Sequence, residues 1–69
     1  MTDLHSVSAD LSALLQDMPN IATPAGERAA WFDRKAELLE RVSGTVPEAA
    51  ELAIAARERA ACLRGGGRA

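Results

Sequence analysis

The residues best suited to chemistry are few and stand far apart in this sequence. His5 is the only histidine and Cys62 the only cysteine, and nearly the whole chain separates them. A zinc site needs several such ligands at close spacing, and neither residue has another beside it. A single cysteine also excludes an internal disulfide. The sequence therefore predicts no metal site and no cofactor.

Acid–base catalysis is disfavoured as well, although carboxylates are plentiful. The 69 residues include 10 Asp and Glu against 8 Lys and Arg, for a formal net charge of −2. A carboxylate becomes a catalyst in a concave pocket that excludes water, and a chain this short has little room for one. No Ser/His/Asp, Cys/His or glycine-loop arrangement is present. We predict that the chain is not an enzyme and takes no small-molecule substrate.

Apolar residues in alternating steps of three and four predict an amphipathic helix over residues 3–18. They are Leu4, Val7, Leu11, Leu14 and Met18. This spacing is the seam of a heptad repeat. Pro19 disfavours helical backbone at the residue before it and should end the helix. Ile21, in the linker that follows, is expected to enter the core.

A second helix is predicted over residues 24–43. Thr23 followed by Pro24 is typical of an N-cap with proline in the first turn. Gly44 is expected to stop the helix in a left-handed conformation. On this helix Trp31 and Phe32 belong to the apolar arc, which favours a place in the core over a platform for stacking bases.

A third helix is predicted over residues 46–64, opened by a capping box from Thr45 to Glu48. The short connection favours an antiparallel hairpin of helices two and three. Helix three should face its partner with a narrow stripe of mostly small residues: Ala49, Leu52, Ala53, Ala56, Ala60 and Leu63. The glycines of residues 65–69 predict a flexible tail.

Two features leave alternatives open. Arg28 and Lys35 fall within the apolar arc of helix two. Their charges either extend past the core to solvent or pair with an acidic residue of a partner or of helix one, such as Asp10 or Asp17. Ile54 belongs to a second apolar strip on helix three. Helix one can cover that strip in a three-helix bundle, or another chain can cover it in a dimer.

DNA binding is the alternative from a different class, since a short glycine-containing turn joins helices two and three. The first turns of helix three would have to read the bases, but they carry Glu48 and Glu51. Arg57, Arg59 and Arg64 near its end offer contacts to phosphate. Nucleic acid is therefore not the expected partner, and a small DNA-associated regulator stays the alternative function.

The segment from Trp31 to Arg41, with the alanine- and arginine-rich helix that follows it, resembles short helical proteins of high-GC actinobacteria. The resemblance covers residues 27–64. Those proteins are mostly uncharacterised and some are found near mobile elements, so the resemblance implies an accessory or regulatory role. It implies no activity and no functional residues.

Taken together, the sequence predicts an all-α fold of one domain, residues 1–64. A core this small favours completion by oligomerisation. The predicted function is a non-catalytic protein–protein interaction module that associates with itself or with another protein. We expect a cytoplasmic protein without a signal peptide or membrane-spanning segment. The predicted interface residues are Leu4, Val7, Leu11, Leu14, Trp31, Leu38 and Ile54.

Overall fold

The computed structural model describes residues 4–65, and the side chains of Leu4 and His5 lie outside the described part. It contains three α-helices: α1 (Leu4–Gln16), α2 (Ala25–Val42) and α3 (Glu48–Arg64). No strand occurs among the described residues. The predicted all-α fold and its three helices are confirmed, with boundaries that differ by about two residues or less. The tail predicted over residues 65–69 lies outside the described residues, apart from Gly65.

Pro19 sets the end of α1 through the backbone hydrogen bonds. Proline has no N–H, so the Leu15 carbonyl cannot receive the helical bond that residue 19 would donate. The Met18 amide donates to Leu15 O instead, at 3.3 Å. The Leu14 carbonyl thereby loses its helical donor, and the indole Nε1 of Trp31 donates to it at 2.8 Å. The tryptophan of α2 thus completes the end of α1 and ties the two helices together.

The loop after α1 is closed by its own side chains. Asn20 Oδ1 accepts a hydrogen bond from the Ala22 amide at 2.8 Å, and Thr23 Oγ1 accepts one from the Asn20 amide at 3.0 Å. The Thr23 hydroxyl is therefore occupied within the loop. Pro24 takes the N-cap position of α2, with no side-chain capping bond. The prediction that Thr23 caps α2 is wrong for this reason.

Ile21 lies at the tip of this closed loop and is 98% exposed. The expectation that it enters the core is wrong. The hydrogen bonds between Asn20 and Thr23 turn the chain within four residues, so the Ile21 side chain projects into solvent. The loop therefore presents an aliphatic side chain at the surface.

The connection from α2 to α3 does not pass through a left-handed glycine. Ser43 has φ −66° and ψ −21°, and φ of Gly44 lies outside the left-handed region. The Val42 carbonyl accepts hydrogen bonds from the Thr45 and Val46 amides, at 3.0 and 2.8 Å. Because these bonds satisfy the end of α2, no left-handed residue is needed there. The predicted left-handed stop at Gly44 is wrong.

Pro47 takes the N-cap position of α3, with φ −57° and ψ −32° and no side-chain capping bond. The first turn is satisfied by short-range backbone bonds, from Ala49 N to Val46 O at 2.9 Å and from Ala50 N to Pro47 O at 3.1 Å. Thr45 lies two residues upstream of the cap. The capping box predicted from Thr45 is therefore wrong.

Helices α2 and α3 pack closely, as the predicted hairpin requires, and small residues line their contact. Ala29 and Ala36 of α2 are completely buried. On α3 the buried residues are Ala49, Ala53, Ala56 and Ala60. Alanines at the contact allow helix axes to approach to the lower end of the usual range of about 8–10 Å. Phe32 and Leu39 cover one side of this seam. Leu52, which was predicted to lie in it, is 56% exposed.

The three helices lie side by side in one layer, with α2 in the middle. Helix α1 packs against α2 of the same chain, and no Cα atom of α1 comes within 8 Å of one in α3 across the described residues. The chain measures 39 × 24 × 12 Å. Three adjacent helices at the usual spacing span about 21–25 Å, which matches the middle dimension. Neither broad face of the layer is covered by another of the described helices.

Candidate interaction surface

Four ion pairs fix the order of the helices in the layer. Arg41 pairs with Asp10 and Arg34 with Asp17, which joins α2 to α1. On the other side of α2, Arg57 pairs with Glu40 and Arg64 with Asp33. The alternative in which Arg28 and Lys35 pair with Asp10 or Asp17 is therefore not realised. The carboxylates of Asp10 and Asp17 are engaged by Arg41 and Arg34 instead.

The pair of Arg57 and Glu40 has the most specific geometry of the four. Arg57 Nε and Nη2 donate to the two carboxylate oxygens of Glu40, at 2.9 and 2.8 Å. This side-chain hydrogen bonding is the main reason that the pKa of the Glu40 carboxyl lies below its ordinary value. The same contact raises the pKa of the Arg57 guanidinium. Both groups therefore stay charged more readily in the folded protein.

The two broad faces of the layer differ in chemistry, because the flanking helices occupy opposite sides of α2. Successive residues of a helix turn by about 100°, since a turn takes about 3.6 residues. With Arg34 and Arg41 directed to α1 and Ala36 directed to α3, Asp33 and Glu37 fall on one broad face. The opposite face of α2 carries Arg28, Phe32, Lys35, Leu39 and Val42.

Helix α1 adds its apolar residues to this second face. Leu11, Leu15 and Met18 are 45%, 54% and 55% exposed, and Val7 is half-buried. Met18 borders the same hollow as Phe32 and Lys35, which places the α1 stripe on the same side of the layer. We call this surface the apolar face, and its members are Val7, Leu11, Leu15, Met18, Phe32, Leu39 and Leu52.

A hollow of about 470 Å³ opens at one end of the apolar face. It lies between the loop after α1 and the first turns of α2. Trp31 and Phe32 form part of its wall with their rings edge to face, 5.1 Å apart at 88°. The Nζ atom of Lys35 lies 5.8 Å from the Trp31 ring centre and 5.9 Å from that of Phe32. Its remaining lining residues are Met18, Pro19, Asn20, Ile21 and Arg28.

The structure separates the seven predicted interface residues into groups. Val7 and Leu11 lie on the apolar face, whereas the side chain of Leu4 lies outside the described residues. Leu14 and Trp31 are buried in the contact of α1 with α2, and Leu38 is half-buried beside them.

Ile54 is 59% exposed but lies about 160° around α3 from Leu52, on the opposite broad face. Sequence reasoning missed Leu15, Met18, Phe32 and Ile21 as surface residues. For the first two the signal was present, since Met18 belongs to the heptad seam of α1 and Leu15 widens it.

Three further features of the described residues concern metal binding, the single thiol and membrane crossing. Among residues 4–65, no group of three or more His, Cys, Asp and Glu is arranged to hold a metal ion. Cys62 is exposed as a free thiol. None of the described helices has the length and apolar character needed to cross a membrane.

Neither a known protein family, nor a curated protein, nor a solved structure matches this chain.

Proposed function

We propose that this chain is a non-catalytic helical module that binds another protein chain through its apolar face. The observation that carries the proposal is the open layer. Leu11, Leu15 and Met18 share a face with the aromatic residues of α2, and no described helix of this chain covers them. Contiguous exposed apolar surface rimmed by polar residues is typical of protein interaction sites. The same proposal places the module in the cytoplasm.

Self-association is the simplest form of this function and the first to test. Light scattering across a tenfold or wider concentration range measures the mass, and circular dichroism follows helicity in parallel. The same measurements are made on two variants, Leu11→Glu on the apolar face and Ile54→Glu on the opposite face. Both replace an exposed aliphatic residue with a good helix former. We expect Leu11→Glu to abolish any concentration-dependent mass increase and Ile54→Glu to leave it unchanged.

Photo-crosslinking extends the test to a partner of another kind. A photoreactive side chain at Leu15, compared with one at Ile54, is activated in the cells that produce the protein. We expect a discrete adduct from position 15 and none from position 54. A monomer at every concentration that gives no adduct from either position would overturn the proposed function.

The DNA-associated alternative is not proposed, because the arginines it requires are already engaged. Arg57 pairs with Glu40 and Arg64 with Asp33, at 2.8 and 2.6 Å. Of the three arginines near the end of α3 that could contact phosphate, Arg59 alone forms no ion pair within the described part of the chain.

A further inference from the structure

The cations of this protein are distributed unevenly between its faces. Residues 4–65 contain seven Lys and Arg residues, and four of them pair with carboxylates along the edges of α2. The other three, Arg28, Lys35 and Arg59, form no ion pair with any described residue. By the rotation of their helices, all three belong to the apolar face.

Carboxylates are nearly missing from the same face. Among the described residues only Glu48, in the first turn of α3, falls on it by rotation, at the end away from Arg28 and Lys35. Asp33, Glu37 and Glu40 of α2 point to the opposite side. Glu51 and Glu58 fall on the outer edge of α3. Glu27 lines a separate hollow with Asp17 and Arg34. Around Arg28 and Lys35 the apolar face therefore combines uncovered hydrophobic groups with cations and no described anion.

This combination restricts what can cover the face. Burying Arg28 and Lys35 against an apolar surface would remove water from two charges without replacing it, which costs free energy. A second copy of this chain, laid face to face, would bring three more cations against one described carboxylate, that of Glu48. An occupant that supplies carboxylates next to apolar side chains avoids both problems.

The geometry points to the class of occupant. We propose that the hollow beside Arg28 and Lys35 binds an acidic amphipathic helix of another protein. The two cations are seven residues apart on α2, about 10.5 Å along the helix axis. Carboxylates seven residues apart on a second helix match this separation. Apolar residues three and four positions after the first carboxylate would then face Phe32 and the gap beside Met18.

Three features favour a protein helix over an anionic membrane surface. The hollow of about 470 Å³ has room for several side chains, with the exposed Ile21 at its rim. The indole N–H of Trp31 is directed inward to Leu14 O and is not free for a membrane interface. Lys35 lies over the rings at the centre of the apolar surface rather than at a polar border.

The inference rests on the proposed function and is tested with designed peptides. One is an alanine-based helix with glutamates at positions i and i+7 and leucines at i+3 and i+4. Its twins carry glutamine or lysine at the two charged positions. The full chain contains one tryptophan, Trp31, in the wall of the hollow, so fluorescence reports binding of peptides that have none. Calorimetry provides the second measurement.

We expect the glutamate peptide to bind about tenfold more tightly than the glutamine peptide, with the difference shrinking at high salt. The double variant Arg28→Glu/Lys35→Glu should prefer the lysine peptide, which reverses the order. Arg57→Gln, which removes a cation from the opposite side of the layer, serves as the matched control and should keep the original preference. Circular dichroism confirms that each variant folds.

The remaining outcomes separate this inference from the proposed function. Equal affinity for the glutamate and glutamine peptides would overturn the inference and leave the function standing. Self-association that Leu11→Glu abolishes, without binding of any peptide, would do the same. A monomer that binds no peptide, whether or not it binds vesicles with anionic lipid, would overturn the inference. It would overturn the proposed function as well if the photoreactive positions give no adduct.

Discussion

At the scale of single residues, the bidentate contact of Arg57 with Glu40 makes the clearest prediction about pH. The folded pKa of Glu40 lies below its ordinary value, which is about 4.3 in an unfolded chain. The stabilisation from this pair is therefore fully present above the unfolded pKa, and it is lost as pH falls through the folded pKa. Because the groups are exposed, salt should weaken the pair.

A double-mutant cycle with Glu40→Gln and Arg57→Gln measures this coupling in urea unfolding. We expect a favourable coupling free energy near about pH 7 that declines as the pH falls through the folded pKa of Glu40 and vanishes once Glu40 is protonated in both states. A control cycle combines Arg57→Gln with Glu27→Gln, because Glu27 lies beside α1. Coupling that persists unchanged as the pH falls would show that the contact does not depend on the Glu40 charge.

At the scale of the elements, the alanine seam between α2 and α3 decides how closely the hairpin packs. Ala53 is 2% exposed and faces Ala36, which is completely buried. A larger side chain at position 53 has no space between the helices. We expect Ala53→Leu to lower the free energy of unfolding by about 1–3 kcal/mol. Ala55→Leu, on the exposed side of the same helix, is the control and should change it by less than about 0.5 kcal/mol.

Chemical denaturation followed by circular dichroism measures both variants. An Ala53→Leu chain as stable as the original would mean that the two helices can separate without loss, and the seam would not be what holds the hairpin.

The helices could be predicted from sequence because their signals are local. Steps of three and four residues, the proline at position 19 and the short link around Gly44 act within one or two turns of the chain. The caps failed for equally local reasons that sequence does not reveal. Thr23 Oγ1 accepts a hydrogen bond from the Asn20 amide and so does not cap α2. Pro47 takes the N-cap position of α3, which leaves Thr45 two residues too far upstream to cap the helix.

The candidate site was predicted only in part, because periodicity shows which residues share a face but not which face another helix covers. Leu14 and Leu11 belong to the same stripe, yet Leu14 is buried and Leu11 is 45% exposed. Their difference depends on where α2 lies beside α1. The exposure of Ile21 depends on hydrogen bonds inside a four-residue loop, which hydrophobicity does not report.

At the scale of the whole molecule, an open layer need not be equally stable on its two sides. The α2–α3 seam is long and buries six alanines. On the other side, α1 contacts α2 over a shorter stretch, through Leu14, the Trp31 hydrogen bond and two exposed ion pairs. We therefore predict that α1 separates from α2 before the hairpin unfolds.

Trp31 fluorescence reports this separation, since its ring lies in the α1–α2 contact, whereas circular dichroism reports total helix. We expect the fluorescence transition at lower urea than the main loss of helix. Leu14→Ala should weaken the first step by about 2 kcal/mol, as is typical for a buried leucine, and leave the second unchanged. Leu15→Ala removes the adjacent, 54% exposed leucine and should affect neither step in the unbound chain. Coincident transitions in every variant would mean that the layer folds as one unit.

A partner on the apolar face would contact both α1 and α2. Its binding should therefore bring the two transitions together and link occupancy of the face to the docking of α1.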